Sequence, residues 1–202
     1  MYSKYIILIV VFVISYLAGN ISPATIIGKA KGVDIRKEGS GNPGTTNNLR
    51  VLGKEAALIV LLVDILKGTV MVLLWGHLFG ETAAMIAAFG AFLGHVFPIA
   101  MKFKGGKGVA TAFGVLVALH PGLGLGCLGV VLLAVIVTRR VCPGSIAGAI
   151  AAPLLSWWLM PAFVPYCIIM AAIVIIRHRS NIVRMMNGEE PKISFKKKEK
   201  TE

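Results

Sequence analysis

Three polar segments in an otherwise oily chain carry the residue types that grip phosphate. The first reads GVDIRKEGSGNPGTTNNLR, from Gly32 to Arg50. Gly39, Gly41 and Gly44 let the backbone turn tightly and present N–H groups inward. Ser40, Thr45 and Thr46 add hydroxyls, Asn42 and Asn47 add amides, and Arg50 supplies a planar fork for phosphate oxygens. The pattern is neither a Walker loop nor a GxGxxG element.

The second segment, KFKGGKGVAT from Lys102 to Thr111, pairs Gly105 with Gly106 at the start of a predicted helix. Backbone N–H groups and the positive end of a helix dipole then lie beside Lys107. The third, RHRSNIVRMMNGEE from Arg177 to Glu190, places His178 and Asn181 on one helical face at i and i+3, with Arg179 pointing elsewhere. A smaller loop after Arg139-Arg140 opens another helix at Gly144 and Ser145 and offers a further set of N-terminal donors. Taken singly, each segment has an ordinary explanation as a turn-rich loop, a basic membrane flank or an interfacial histidine. Their common sidedness argues for more.

That sidedness comes from the elements that hold the segments. The chain has 202 residues, 56% of them hydrophobic, and a mean hydropathy of +0.81, too apolar for a globule with a wetted surface. Apolar runs cover Tyr5–Ile27, Ala56–Trp75 and Thr82–Ala100, followed by two longer ones, Val109–Thr138 and Ser145–Ile176. His120-Pro121-Gly122 and Met160-Pro161 with Pro165 interrupt the long runs, which therefore read as helical hairpins. Apart from Lys4 and Lys67, all 21 Lys and Arg residues fall in four alternate connections. Basic residues gather in cytoplasmic loops. The expected fold is an all-α polytopic membrane bundle of about seven transmembrane helices, N-terminus outside and C-terminus cytoplasmic. The fourth span, from Gly108 to His120, is shorter than a full crossing requires.

Residues 1–190 read as one membrane domain and 191–202 as a basic cytoplasmic tail, disordered beyond Pro191. The net charge of +12, and the Lys196–Lys200 run within it, suit anionic headgroups better than nucleic acid, given their place beside the membrane. Cys127, Cys142 and Cys167 lack metal-ligand spacing and read as packing residues. The first span lacks a cleavage site and stays in the mature chain. Asp64 and Lys67, three apart, pair within the second span, and His95, close to Pro98 at the inner end of the third, either borders the substrate cavity or bonds a neighbouring helix. Ala83, Ala84, Ala87, Ala88, Gly90 and Ala91 permit close helix packing.

The motifs GSGNPGTTN from Gly39, KGGKGVAT from Lys104, and RHRSNIVR with NGEE between Arg177 and Glu190, in this order, resemble those of the bacterial acyl-phosphate-dependent glycerol-3-phosphate acyltransferases. The resemblance covers essentially the whole chain; Thr45 departs from the alanine of the family pattern. It implies an enzyme of the bacterial cytoplasmic membrane that acylates the 1-hydroxyl of glycerol 3-phosphate from acyl phosphate, giving lysophosphatidic acid and inorganic phosphate, the first acylation of phospholipid synthesis. It implies Ser40, Lys107, His178 and Asn181 in catalysis and Arg50 on glycerol 3-phosphate, with Gly39, Gly41, Asn42, Gly105 and Gly106 shaping the site. Thr46, Asn47 and Ser145 would hold the acyl-phosphate headgroup. No metal, cofactor or obligate protein partner is implied, and the partners are the two substrates and membrane lipids.

The residues tolerate this chemistry. No His-x4-Asp pair or Gly-x-Ser-x-Gly elbow occurs, so the thioester-dependent and hydrolase patterns are missing. Either the leaving phosphate accepts the hydroxyl proton or His178 acts as general base. A transporter for phosphorylated anions is the rival class, but the outer connections offer no matching anion gate. A lipid-phosphate phosphatase would need separated Arg, Ser-His and His motifs that are not found.

Overall fold

The computed structural model describes residues 2–192, and within them the chain is all-helical. Lys196–Lys200, with most of the expected tail, lies outside the described residues. The first apolar run is two helices, α1 (Tyr2–Gly19) and α2 (Pro23–Ala30), broken at Asn20-Ile21-Ser22. The two together still form one candidate span, Lys4–Ala30, and the break within it has a local cause. Ser22 caps α2 by accepting from the Thr25 amide at 3.3 Å, and Pro23 suits only a first turn. A short α3 (Thr45–Val51) precedes α4 (Lys54–Phe79) and α5 (Glu81–Val96), and a 3-10 turn at Ile99–Met101 follows.

Next comes α6 (Val109–Leu119), whose 11 residues span about 16 Å, half a crossing. His120 ends it and caps α7 (Pro121–Thr138), accepting from the Leu123 amide at 3.2 Å. The chain returns in α8 (Val141–Leu159), turns at Pro161–Phe163, and continues in α9 (Val164–Arg177) and α10 (Arg179–Met186). Among the described residues, five helical segments are long and apolar enough to cross a membrane, with α1 and α2 counted together, or six if α9 and α10, bent by 53°, count as one. With the short α6, the expected seven apolar segments and both hairpin breaks are all present. α8, however, begins four residues before Ser145, because Pro143 is tolerated in a first turn.

Small residues set the packing. α5 lies between α1 and α4, and Ala83, Ala84, Ala87, Ala88, Gly90 and Ala91 are all buried there. At Gly94 a Cβ would overlap the Tyr16 carbonyl, and at Gly90 it would come within 2.8 Å of the Phe12 carbonyl, so only glycine allows this approach. The main core joins Val72, Phe92, Val115, Leu123 and Phe163. Outward-facing Ile136 and Val137 are about three-quarters exposed, which suits lipid and not water.

A candidate anion site above an apolar chamber

Helices α4 and α6–α9, with α3 and its preceding loop, surround a cavity of about 620 Å³. This volume falls within the roughly 300–1,000 Å³ of small-molecule sites. One end is polar, lined by Ser40, Asn42, Thr46, Asn47, Arg50, Lys107, Ser145, His178 and Asn181. The remainder is oily, lined by residues such as Phe113, Leu116, Leu128, Val131 and Met170. The four basic connections thus meet at one end of the bundle.

Asn47 knits the first loop together. Its side-chain oxygen accepts from the Ser40 amide at 2.8 Å, and its amide donates to the carbonyls of Glu38 at 3.0 Å and Ile35 at 3.2 Å. Asn47 is fully buried, so it organises the loop as well as lining the cavity. Gly39 and Gly41 do not line the cavity; they hold left-handed turns at φ of 59° and 68°. The Gly41 amide donates to the Glu38 carbonyl, so it is not the inward donor that the sequence suggested.

Gly105 and Gly106 likewise lie off the cavity. Their amides donate to the carbonyls of Val96 and His95, both at 3.2 Å, and the Arg177 guanidinium donates to the Gly105 carbonyl at 2.6 Å. The glycines are needed because side chains would strike His95 and Pro98. What they deliver is Lys107 and the uncapped start of α6, where Val109 and Ala110 face the cavity. Ser145 lines the cavity from the second turn of α8, with its hydroxyl donating to the Val141 carbonyl at 3.1 Å.

Lys107 donates to the side-chain oxygen of Asn181. The Asn181 amide donates in turn to Glu190 Oε1 at 2.7 Å, and Glu190 Oε2 accepts from Arg184 at 2.9 Å. The Glu190 backbone carbonyl also takes Arg140 at 3.1 Å, closing the ring of basic connections. Glu190, buried and lining the cavity, was not read as a site residue; its signal was a lone acidic pair in a basic segment. Arg179 is exposed, as its position on α10 requires.

His178 sits between α9 and α10 with Nδ1 at 2.8 Å from the Val174 carbonyl. A carbonyl only accepts, so this assigns the ring proton to Nδ1 and leaves Nε2 a lone pair. Burial, helped by the charge of Lys107, pushes the imidazole down to about 4. Burial also lowers the Lys107 ammonium to about 8. Asp64 and His95 reach the cavity wall as well, and Asp64 forms the expected pair with Lys67 at 2.8 Å.

Residues 9–188 match the model of a family described as glycerol-3-phosphate acyltransferase. A glycerol-3-phosphate acyltransferase of Shewanella halifaxensis is 43% identical over 191 residues, which is 94% of this chain and 96% of that protein. One from a Thermoanaerobacter species is 42% identical over 187 residues, covering 91% and 94% of the two chains. Crystal structures of PlsY (YgiH), an integral membrane glycerol 3-phosphate acyltransferase, superpose with 36% identity in two forms. The glycerol 3-phosphate form gives a TM-score of 0.87 over 93% of this chain and 96% of that one. The lysophosphatidic acid form gives 0.85 over 93% and 95%.

Proposed function

From the premise that this chain belongs to the glycerol-3-phosphate acyltransferase family, we propose that it transfers a fatty acyl group from acyl phosphate to the 1-hydroxyl of glycerol 3-phosphate. The observation that carries this reading is the environment of His178. Its Nδ1 meets a backbone carbonyl and not an orienting carboxylate, and its burial makes it a weak base. A site without a strong base needs a donor that is already activated and a leaving group that takes the proton itself. Acyl phosphate meets both needs.

In the step, the glycerol O1 forms a bond to the acyl carbon while the bond from that carbon to the phosphate oxygen breaks. The hydroxyl proton passes to the departing phosphate, giving lysophosphatidic acid and inorganic phosphate. Lys107 and the α6 amides stabilise the charge that gathers on the leaving group. Ser40, Arg50 and Asn181 hold glycerol 3-phosphate, and the His178 Nε2 lone pair orients the hydroxyl. Asn42, Thr46 and Ser145 grip the acyl-phosphate headgroup, with Asn47 holding the loop that presents them because its own side-chain donors are taken by Ile35 and Glu38, and the oily chamber takes the alkyl chain. Gly39, Gly41, Gly105 and Gly106 shape the loops. The chemistry calls for no cofactor and no second protein. The basic end faces the cytoplasm of a bacterial inner membrane, which places the N-terminus outside.

Purified protein given glycerol 3-phosphate with palmitoyl phosphate, palmitoyl coenzyme A or palmitoylated carrier protein tests the donor. Lysophosphatidic acid from the acyl phosphate alone is the expected result. Product from a thioester would overturn the donor assignment, and a folded Arg50→Ala protein with full turnover would overturn the site.

A further inference from the structure

The cluster formed by Asp64, Lys67 and His95 lies between apolar helices, and the reaction above makes no use of it. All three side chains are more than nine-tenths buried. The Lys67 ammonium makes hydrogen bonds at 2.8 Å with the Ile21 carbonyl freed by the break between α1 and α2 and with His95 Nδ1, and it is ion-paired at 2.8 Å with Asp64 Oδ1, which has no hydrogen bond among the described residues. An ammonium donates only, so His95 Nδ1 must accept. The 3.4 Å approach of Asp64 to the same nitrogen is then a neighbouring contact and not a hydrogen bond. It follows that His95 carries its proton on Nε2.

That Nε2–H makes no hydrogen bond within the described residues, although His95 is only 8% exposed. It occupies the space a Gly106 side chain would fill, and His95 is part of the wall of the same cavity that Lys107 lines. The uncapped amides of α6 begin at Val109, which lines this cavity too. We propose that His95 is a further substrate-binding residue, its Nε2–H donating to a phosphoryl oxygen held at the start of α6. The Asp64–Lys67 pair fixes the tautomer that makes this donor available. The ligand is a phosphate monoester dianion, carried by either acyl phosphate or glycerol 3-phosphate. The proposal rests on the acyl-transfer reading for its substrates but not for its binding chemistry.

Two substitutions separate binding from packing. His95→Asn keeps an acceptor where Nδ1 meets Lys67 and removes the cavity donor. His95→Gln places an amide N–H where Nε2 stood and gives up the Lys67 contact. The folded Asn variant is expected to raise one KM by roughly 10- to 100-fold, the worth of a hydrogen bond to a charged group, with kcat little changed. The Gln variant is expected to stay within a few-fold of the parent protein. Whichever KM rises names the phosphate that His95 touches. The reverse order, with Asn harmless and Gln damaging, would mean packing alone and overturn the proposal.

Nitrogen NMR of the unsubstituted protein gives a measurement that needs no variant at position 95. His178 is told apart by its Nδ1–H tautomer, and the other two histidines by His77→Gln and His120→Gln. Inorganic phosphate should shift the His95 Nε2–H resonance; a resonance that stays put at saturating phosphate overturns the proposal. If no protein forms ester, the reaction reading has failed, while the phosphate-dependent shift still decides the role of His95.

Discussion

Replacing Glu190 with alanine removes the anion on which the basic end of the bundle converges. Its carboxylate accepts from Asn181 at 2.7 Å and from Arg184 at 2.9 Å. The glutamate side chain is 5% exposed and the arginine 32%. The ion pair is therefore buried on one side only. Its loss falls between the ~0.2–1 kcal/mol of an exposed pair and the ~3–5 kcal/mol of a buried pair broken at one partner. The charge-assisted bond to Asn181 adds about 1.5–3 kcal/mol. A total near 3–5 kcal/mol lowers the melting temperature by roughly 10 °C for a chain of this size. Glu190→Gln keeps an acceptor for Asn181 and should cost about a third as much. Activity should fall further than stability, because Asn181 also fixes Lys107. Thermal unfolding in detergent and acyl transfer at a permissive temperature measure the two effects. An alanine variant with parental melting and parental kcat/KM would refute the coupling of Glu190 through Asn181 to Lys107.

The pH profile gives a second test. Burial holds the Lys107 ammonium at about 8, so its charge is present below that pH and lost above it. kcat/KM should fall tenfold per pH unit above about 8, and Lys107→Arg should move that limb out of range. His178, pushed down to about 4, stays neutral from pH 5 upward, so its replacement should not move any limb near 6.5. The α1–α5 contact gives a third. Gly94→Ala drives a methyl into the Tyr16 carbonyl, and overpacking of this kind costs about 1–3 kcal/mol. A variant that melts no lower than the parent protein would show that these helices separate without penalty.

The architecture was legible because its signals are local. Apolar runs, the prolines at positions 121 and 161 and the alternating basic connections need no tertiary information, and the structure has each of them. The Asn20–Ser22 break was hidden inside an apolar run long enough to cross unaided. At the site, residue types pointed to the loops but did not say which groups the loops spend on themselves. The amides of Gly41, Gly105 and Gly106 all bond within the chain, and that pairing depends on backbone approach rather than composition. Glu190 was missed, and His95 was left between a cavity and a helix contact, for a related reason. The Glu190 carboxylate reaches Lys107 only through Asn181, and the His95 partner Lys67 lies on another helix.

Under the proposed reaction, the shortness of α6 bears on where the chemistry happens. α6 and α7 share a hinge at His120, and α7 rises about 27 Å where α6 rises about 16 Å. Measured from that hinge, α6 is roughly 10 Å shorter than α7. Under the proposed reaction, the water-soluble acceptor descends to meet its donor, and the greasy tail never has to climb. Each methylene left in oil avoids about 0.8 kcal/mol of exposure.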